Sequence, residues 1–266
     1  MNLLQPMDLV YLYNSDNSNY FTSYIPGKTF TCHRGNIFFP DNLNYGDALI
    51  SSKDFKFFVL RPSLIEYSMK VKRKNTIIYP KEGSRIILEL SICSGQQVIE
   101  IGTGSGAFTY LLSRFVGSEG MVYTYDINQE FQGNAKKNIE KYGEFNNIVY
   151  HIQDTSQIPL IEKNVDAVFV DIPEPWTVVD QVYDSLLPGS RAGFLSPNIE
   201  QVQKTIEKMF EKGFRYIKTI ELFERYIRVK KNMTRPVDKM IGHTAYLYFG
   251  SKITGKEIQT PKKEVK

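Results

Sequence analysis

The chain has 266 residues, 42% of them hydrophobic and 23% charged, with a formal net charge of +4, the composition of an ordinary soluble globular protein of one or two domains. Cys32 and Cys93 are its only cysteines, which excludes a disulfide scaffold and a structural zinc and points to a reducing compartment, the cytoplasm by default. No run is long and apolar enough to span a bilayer, and the N-terminus MNLLQPMDLV has neither the basic start nor the apolar core of a signal peptide.

Residues 1–62 are expected to form a small all-β domain, a barrel or a sandwich. Short strands are predicted at Asp8–Tyr13, Tyr20–Ile25, Lys28–His33, Ile37–Phe39, Ala48–Ser51 and Phe55–Leu60, separated by turn signals such as Pro26-Gly27. Residues 63–74 look helical and basic. They open a connector, 63–81, in which Pro80 ends an extended piece and Tyr79 lies where it could face a pocket or pack as a hinge. An amphipathic helix is expected over Glu82–Ile92.

From residue 96 strands and helices alternate, which is the pattern of a doubly wound α/β domain over residues 82–252. Strands are predicted at 96–101, 121–126, 147–153, 165–171 and 191–196, and helices at 106–116, 128–142, 176–186 and 199–212. Two further strands, 215–229 and 243–251, follow one another without a helix and so form an antiparallel hairpin at the sheet edge. The Lys-rich residues 253–266 read as a frayed tail. Basic clusters at Lys70, Lys72, Arg73 and Lys74, and at Arg225, Arg228, Lys230, Lys231 and Arg235, are either phosphate-binding surfaces or solvated faces.

The chemistry concentrates on Val98-Ile-Glu-Ile-Gly-Thr-Gly-Ser-Gly-Ala-Phe108. Gly102, Gly104 and Gly106 turn the backbone sharply between a buried strand and a helix N-terminus, where a polar ligand is expected to sit. Gly102, Gly104 and Ala107 also match a dinucleotide fingerprint, with Asp126 as its ribose acid. Glu100, two residues before the first glycine, would repel a pyrophosphate but attract the α-ammonium of S-adenosylmethionine (SAM). The G-x-G-x-G spacing with a preceding acid resembles motif I of the class I SAM-dependent methyltransferases. Ser105 lies within the same turn.

Three acids fall just past strand ends, where open α/β sheets bind ligands. Asp126 suits ribose hydroxyls. Asp154 suits the adenine end of the cofactor, with Thr155 or Gln157 nearby, or it caps a helix. Asp171 opens Asp171-Ile-Pro-Glu-Pro-Trp176, whose prolines stiffen the loop and whose tryptophan offers a stacking or packing surface. His33 and His151 are isolated, and no metal-ligand cluster appears.

Four segments together resemble the tRNA (adenine-N1)-methyltransferases of archaea and bacteria, which modify adenine 58 of the T loop. They are Ile77-Ile-Tyr-Pro-Lys81, Glu100-Ile-Gly-Thr-Gly-Ser-Gly106, Asp171-Ile-Pro-Glu-Pro-Trp176, and Arg235-Pro through Met240-Ile-Gly-His-Thr-Ala-Tyr246. The family has a glutamine where this chain has Thr76, so that position carries no role over. The resemblance implies a class I methyltransferase domain behind a small β-barrel-like domain, SAM as cofactor, tRNA as partner and a homotetrameric assembly. It implies Asp171 as the acceptor-site acid and Tyr79 beside the target base. Read from the residues themselves, Pro173, Trp176, Lys72, Arg73 and Arg235 are candidates for binding the substrate, as is His243, which with Thr244 more readily forms a structural hydrogen-bonding pair. Alternatives are methylation of another RNA or of a small molecule, and a non-catalytic tRNA-binding subunit.

Overall fold

A computed structural model describes residues 3–16 and 18–255. They divide into two compact units, one of those up to residue 72 together with 140–143, the other of 73–139 with those from 144 onward. The expected connector, 63–81, spans this division. The predicted tail lies outside the described residues from position 256 onward.

In the first unit, β1 (Leu9–Tyr13), β2 (Tyr20–Ser23), β5 (Ala48–Ile50) and β6 (Lys56–Leu60) form an antiparallel sheet in the order β2-β1-β6-β5, and β3 (Thr29–Cys32) with β4 (Gly35–Phe38) makes a separate ribbon. Alternation sends Val10, Leu12, Phe57 and Val59 inward to a core with Ile37, Phe39, Leu43 and Tyr24. The Tyr24 hydroxyl is buried only because it donates to the Pro40 and Asp41 carbonyls at 2.7 and 3.0 Å. Helix α1 (Leu64–Met69) starts on Ser63, whose backbone N–H donates to Glu66 Oε2 at 2.7 Å. It stops five residues short of the predicted end. Extending it would bring Lys70 and Lys74 together one turn apart on the same face, and like charges at that spacing repel.

The second unit begins its regular structure with α2 (Pro80–Glu89). Pro80 is the first residue of this helix, not the end of an extended piece, because a proline at that position loses no hydrogen bond. There follow β7 (Gln97–Ile101), α3 (Ala107–Val116), β8 (Met121–Asp126), α4 (Gln129–Glu140), β9 (Ile148–Ile152) and β10 (Val165–Val170). After a 3-10 turn, Pro175–Val178, come α5 (Val179–Ser185), β11 (Leu186–Ser196), α6 (Ile199–Lys212) and β12 (Phe214–Glu221). A two-residue ribbon, β13 (Ile227–Arg228) with β14 (Arg235–Pro236), precedes β15 (Tyr246–Lys252).

The sheet runs β12-β15-β11-β10-β7-β8-β9. Strands β11, β10, β7, β8 and β9 are parallel, and β15 is antiparallel to both its neighbours. Helices cover both faces of the parallel part, so β10 is apolar at nearly every position and almost wholly buried. The terminal antiparallel pair is present, but both its strands are shorter at the turn end than predicted. The chain leaves the sheet at Glu221 and returns only at Tyr246, and the residues between form a largely exposed arm.

Candidate active site

The switch in strand order falls at β7, which pairs with β8 on one side and β10 on the other. A cavity of about 530 Å³ opens there at the strand ends. Its floor is the glycine turn, and the packing explains the glycines. A Cβ on Gly102, at φ +105°, would lie 2.2 Å from the Asp171 carbonyl oxygen, so the two strand ends meet only without a side chain. A Cβ on Gly106 would meet the Ala135 Cβ at 2.9 Å. Gly106 therefore serves the approach of α3 to α4, and it does not line the cavity. The Gly104 N–H donates to Asp126 Oδ2 at 2.9 Å, and the Asn128 N–H donates to Asp126 Oδ1 at 2.8 Å. The acid at the end of β8 thus holds the turn in shape while lining the cavity.

Glu100 sits beneath this floor, 1% exposed. The hydroxyls of Thr109 and Thr124 donate to its Oε2 at 2.5 and 2.6 Å, but Oε1 is buried without a hydrogen-bond partner. Burial pushes its pKa up to about 8. The two threonine bonds oppose that shift, and the nearby Asp171 and Asp126 add to it. Asp171 follows β10, and its N–H donates to the Ile101 carbonyl at 2.8 Å. Loss of water around it raises its pKa to about 6.

Asp154 lines the cavity and also closes a turn, its Oδ1 accepting from the Ser156 N–H and hydroxyl at 2.9 and 2.7 Å. Thr155 and Pro173 line the cavity, whereas Gln157 does not. The strap Asn75-Thr76-Ile77-Ile78 forms one wall. Ser105 lines the cavity too, but its hydroxyl is given to Asn75 Oδ1 at 2.6 Å, which latches the strap to the glycine turn. Five carboxylates line the space, on Glu100, Asp126, Asp154, Asp171 and Glu174, with no lysine or arginine among the described residues. Those of them that are ionised attract a cation and repel a phosphate.

The remaining predicted residues lie elsewhere. Tyr79 caps α2, half-buried, directly after the wall residue Ile78, and is not itself in the lining. Trp176 packs against α6 with Lys204 Nζ 3.8 Å above its ring. Lys72 is exposed in the first unit and Arg73 is exposed at the start of the second. Arg235 pairs with Asp238 on the arm. His243 precedes β15 instead of beginning it, and bonds Glu221 Oε1 at 2.6 Å and the Pro197 carbonyl at 2.8 Å. Those two acceptors raise its pKa above the usual histidine value.

Sequence reasoning missed Asn75, Ile127, Asn128, Phe131 and Gln153, all of which line the cavity. Asn128 was findable as the cap that opens α4, since its Oδ1 accepts the Glu130 N–H at 2.9 Å. Ile127, 68% exposed just past a strand end, is an apolar residue with a reason to face a ligand. Among the described residues no group of three or more His, Cys, Asp or Glu is placed to hold a metal ion.

The seven-stranded sheet with β15 inserted antiparallel, and the glycine turn at its switch point, define a class I methyltransferase domain. A family model described as tRNA methyltransferase complex GCD14 subunit matches residues 56–234, and the chain belongs to that family. It is 36% identical over 232 residues to the tRNA (adenine(57)-N(1)/adenine(58)-N(1))-methyltransferase TrmI of Methanocaldococcus jannaschii, covering 77% of this chain and 82% of that one. Among solved structures it resembles the tRNA (m1A58) methyltransferase TrmI of Aquifex aeolicus, with 30% identity, a TM-score of 0.81, and 95% and 99% of the two chains covered. It also resembles a SAM-dependent O-methyltransferase of Thermotoga maritima, with 34% identity, a TM-score of 0.89 and 97% of each chain covered.

Proposed function

We propose that the protein transfers the methyl group of SAM to N1 of adenine 58 in the T loop of tRNA. The observation that carries this reading is the buried, unpartnered Oε1 of Glu100 in a cavity ringed by carboxylates. It fits a ligand that brings a cationic donor and no phosphate. Glu100 would hold the α-ammonium, and the Gly102–Gly104 backbone would admit the ligand closely. Asp126 would take the ribose hydroxyls, and Asp154 the adenine edge. Ile127 and Phe131 supply an apolar wall for the purine face. When bound, SAM supplies a methyl group made electrophilic by the attached sulfonium.

Adenine N1 already carries a lone pair, so no base is needed to create the nucleophile. Positive charge develops on the ring as N1 takes the methyl, and a carboxylate held beside it stabilises that charge. We assign that role to Asp171, whose pKa, pushed up to about 6, still lies below neutral pH. The base must leave its T-loop contacts to reach the cavity, and Tyr79 offers the aromatic face for stacking. Acceptor-end roles for Pro173 and Trp176, and phosphate contacts from Lys72, Arg73, Arg235 and His243, belong to the same reading. The Thermotoga relative is named for oxygen acceptors, which need a base to remove a proton. The relatives named for adenine N1, at comparable identity, support the nitrogen acceptor.

The same reading carries a homotetramer working in the cytoplasm. Phe223, Tyr226, Val229 and Ile241 stand exposed on the arm, an apolar surface suited to a second copy of the chain. Both cysteines are free thiols, and no described helix is long and apolar enough to cross a membrane. Incubating the protein with labelled SAM and an unmodified tRNA transcript tests the central claim. Methyl groups mapped to N1 of adenine 58, with or without adenine 57, are expected. Label on a ribose oxygen or on another base would overturn it.

A further inference from the structure

The arm between Glu221 and Tyr246 is held at both feet by one cation. Lys81 Nζ donates to the Leu222 carbonyl at 2.8 Å, where the chain leaves β12, and to Thr244 Oγ1 at 2.7 Å, where it returns towards β15. Its third bond goes to Glu82 Oε1 at 2.5 Å, and the Thr244 hydroxyl donates to that same oxygen. Glu82 is 1% exposed, and its Oε2 has no hydrogen-bond partner.

Such an arrangement is a poor source of stability, because burying both charges offsets most of their attraction and the orphaned oxygen adds a further cost. Its effect is to fix geometry. Lys81 and Glu82 are the second and third residues of α2, and Tyr79 is its cap. The strap Asn75 to Ile78, which walls the cavity, runs directly into that cap. One turn of helix therefore joins the feet of the arm to the wall of the acceptor site.

We infer that Lys81 is a positioning residue: through Thr244, Leu222 and Glu82 it couples the arm to the strap and to Tyr79. The catalytic part of this inference rests on the methyltransferase reading above; the mechanical part does not.

Lys81→Met keeps an unbranched side chain one atom shorter and removes all three donated bonds. Hydrogen–deuterium exchange on the full-length protein, without ligand, is expected to show faster exchange in residues 222–245 and also in 75–79, with little change in β7 or β8. In single-turnover methylation at saturating SAM and tRNA, a misplaced acceptor site is expected to slow transfer on the order of a hundredfold. SAM affinity should stay as it was, and Lys81→Arg should recover most of the rate. Thr244→Val, which removes the bonds to Lys81 and Glu82 at one foot and leaves the Leu222 tie, gives a smaller change of the same kind and stands in should Lys81→Met fail to fold. Faster exchange confined to the arm, with 75–79 unchanged, would overturn the coupling and leave Lys81 a loop anchor. A wild-type protein that does not methylate tRNA would sink the functional reading, while the exchange data still decide the coupling.

Discussion

Glu100 enters the cavity protonated, and a ligand that brings an ammonium to it must first displace that proton. With its pKa pushed up to about 8, roughly one Glu100 in thirty is ionised at pH 6.5 and about one in four at pH 7.5. A ligand α-amino group titrates near 7.7–8.0 and loses about a quarter of its charge over the same interval. Combining the two, SAM affinity should rise about sixfold from pH 6.5 to 7.5 and pass through a maximum near pH 8. The sign follows from the direction of the shift. The folded apo-protein holds this proton more tightly than the unfolded chain, so stability falls as pH rises from the ordinary glutamate range to about 8, and the bound ammonium restores what is lost. Titration calorimetry in two buffers of different ionisation enthalpy should report close to one proton released per SAM bound near pH 6.5. In Glu100→Gln only the falling limb from the ligand remains, and affinity drops by about a quarter over the same pH unit. A flat wild-type profile with no proton released would refute the reasoning, placing the ammonium away from Glu100.

Asp171→Asn keeps the shape of the loop and removes the charge, so single-turnover methylation should fall about a hundredfold to a thousandfold while SAM affinity changes little; a near wild-type rate would assign Asp171 to loop structure alone. Gly102→Ala drives a methyl group into the Asp171 carbonyl oxygen, and denaturant unfolding should show a loss of about 1–3 kcal/mol together with lost SAM binding; unaltered stability and binding would mean the two strand ends have slack. Binding of tRNA should weaken with salt, and replacing Lys72 and Arg73 with glutamine should shrink the log–log slope by roughly 0.7–0.9 for each phosphate no longer neutralised, leaving SAM affinity as it was. An unchanged slope would return both to ordinary solvated surface.

What was legible in the sequence follows from how parallel sheets are built. Strands covered on both faces must be apolar throughout, so β7 and β10 announce themselves as Val98-Ile99 and Val168-Phe169-Val170 runs, and acids at their ends are conspicuous against that background. One feature misled, and one contact stayed hidden. Tyr226-Ile-Arg-Val-Lys230 alternates like a half-buried strand, yet it lies on the exposed arm, where the described residues of this chain supply no second face to bury it. Trp176, the one tryptophan, invites a role at the ligand, but Lys204 lies 28 residues further on and comes over its ring only once α6 packs. The same limit hid the latch between Ser105 and Asn75. Their hydrogen bond spans 30 residues, and no local pattern records it.

Among the described residues β12 joins the sheet through β15 alone, and β15 follows every other strand. While the chain is being translated, β11 therefore waits with an unpaired edge and β12 has nothing to join until residues 246–252 have emerged from the ribosome. Phe194 stays without the stacked ring of Tyr248, which arrives 54 residues later and lies 5.3 Å from it, centre to centre. The parallel half of the sheet, with its glycine turn, can assemble on the growing chain, but the feet of the arm cannot be tied until Thr244 has been made. A nascent chain truncated before Ala245 presents β11 as an open edge to neighbouring chains, the state most exposed to aggregation during synthesis. β15 thus closes both the sheet and the window for misassembly.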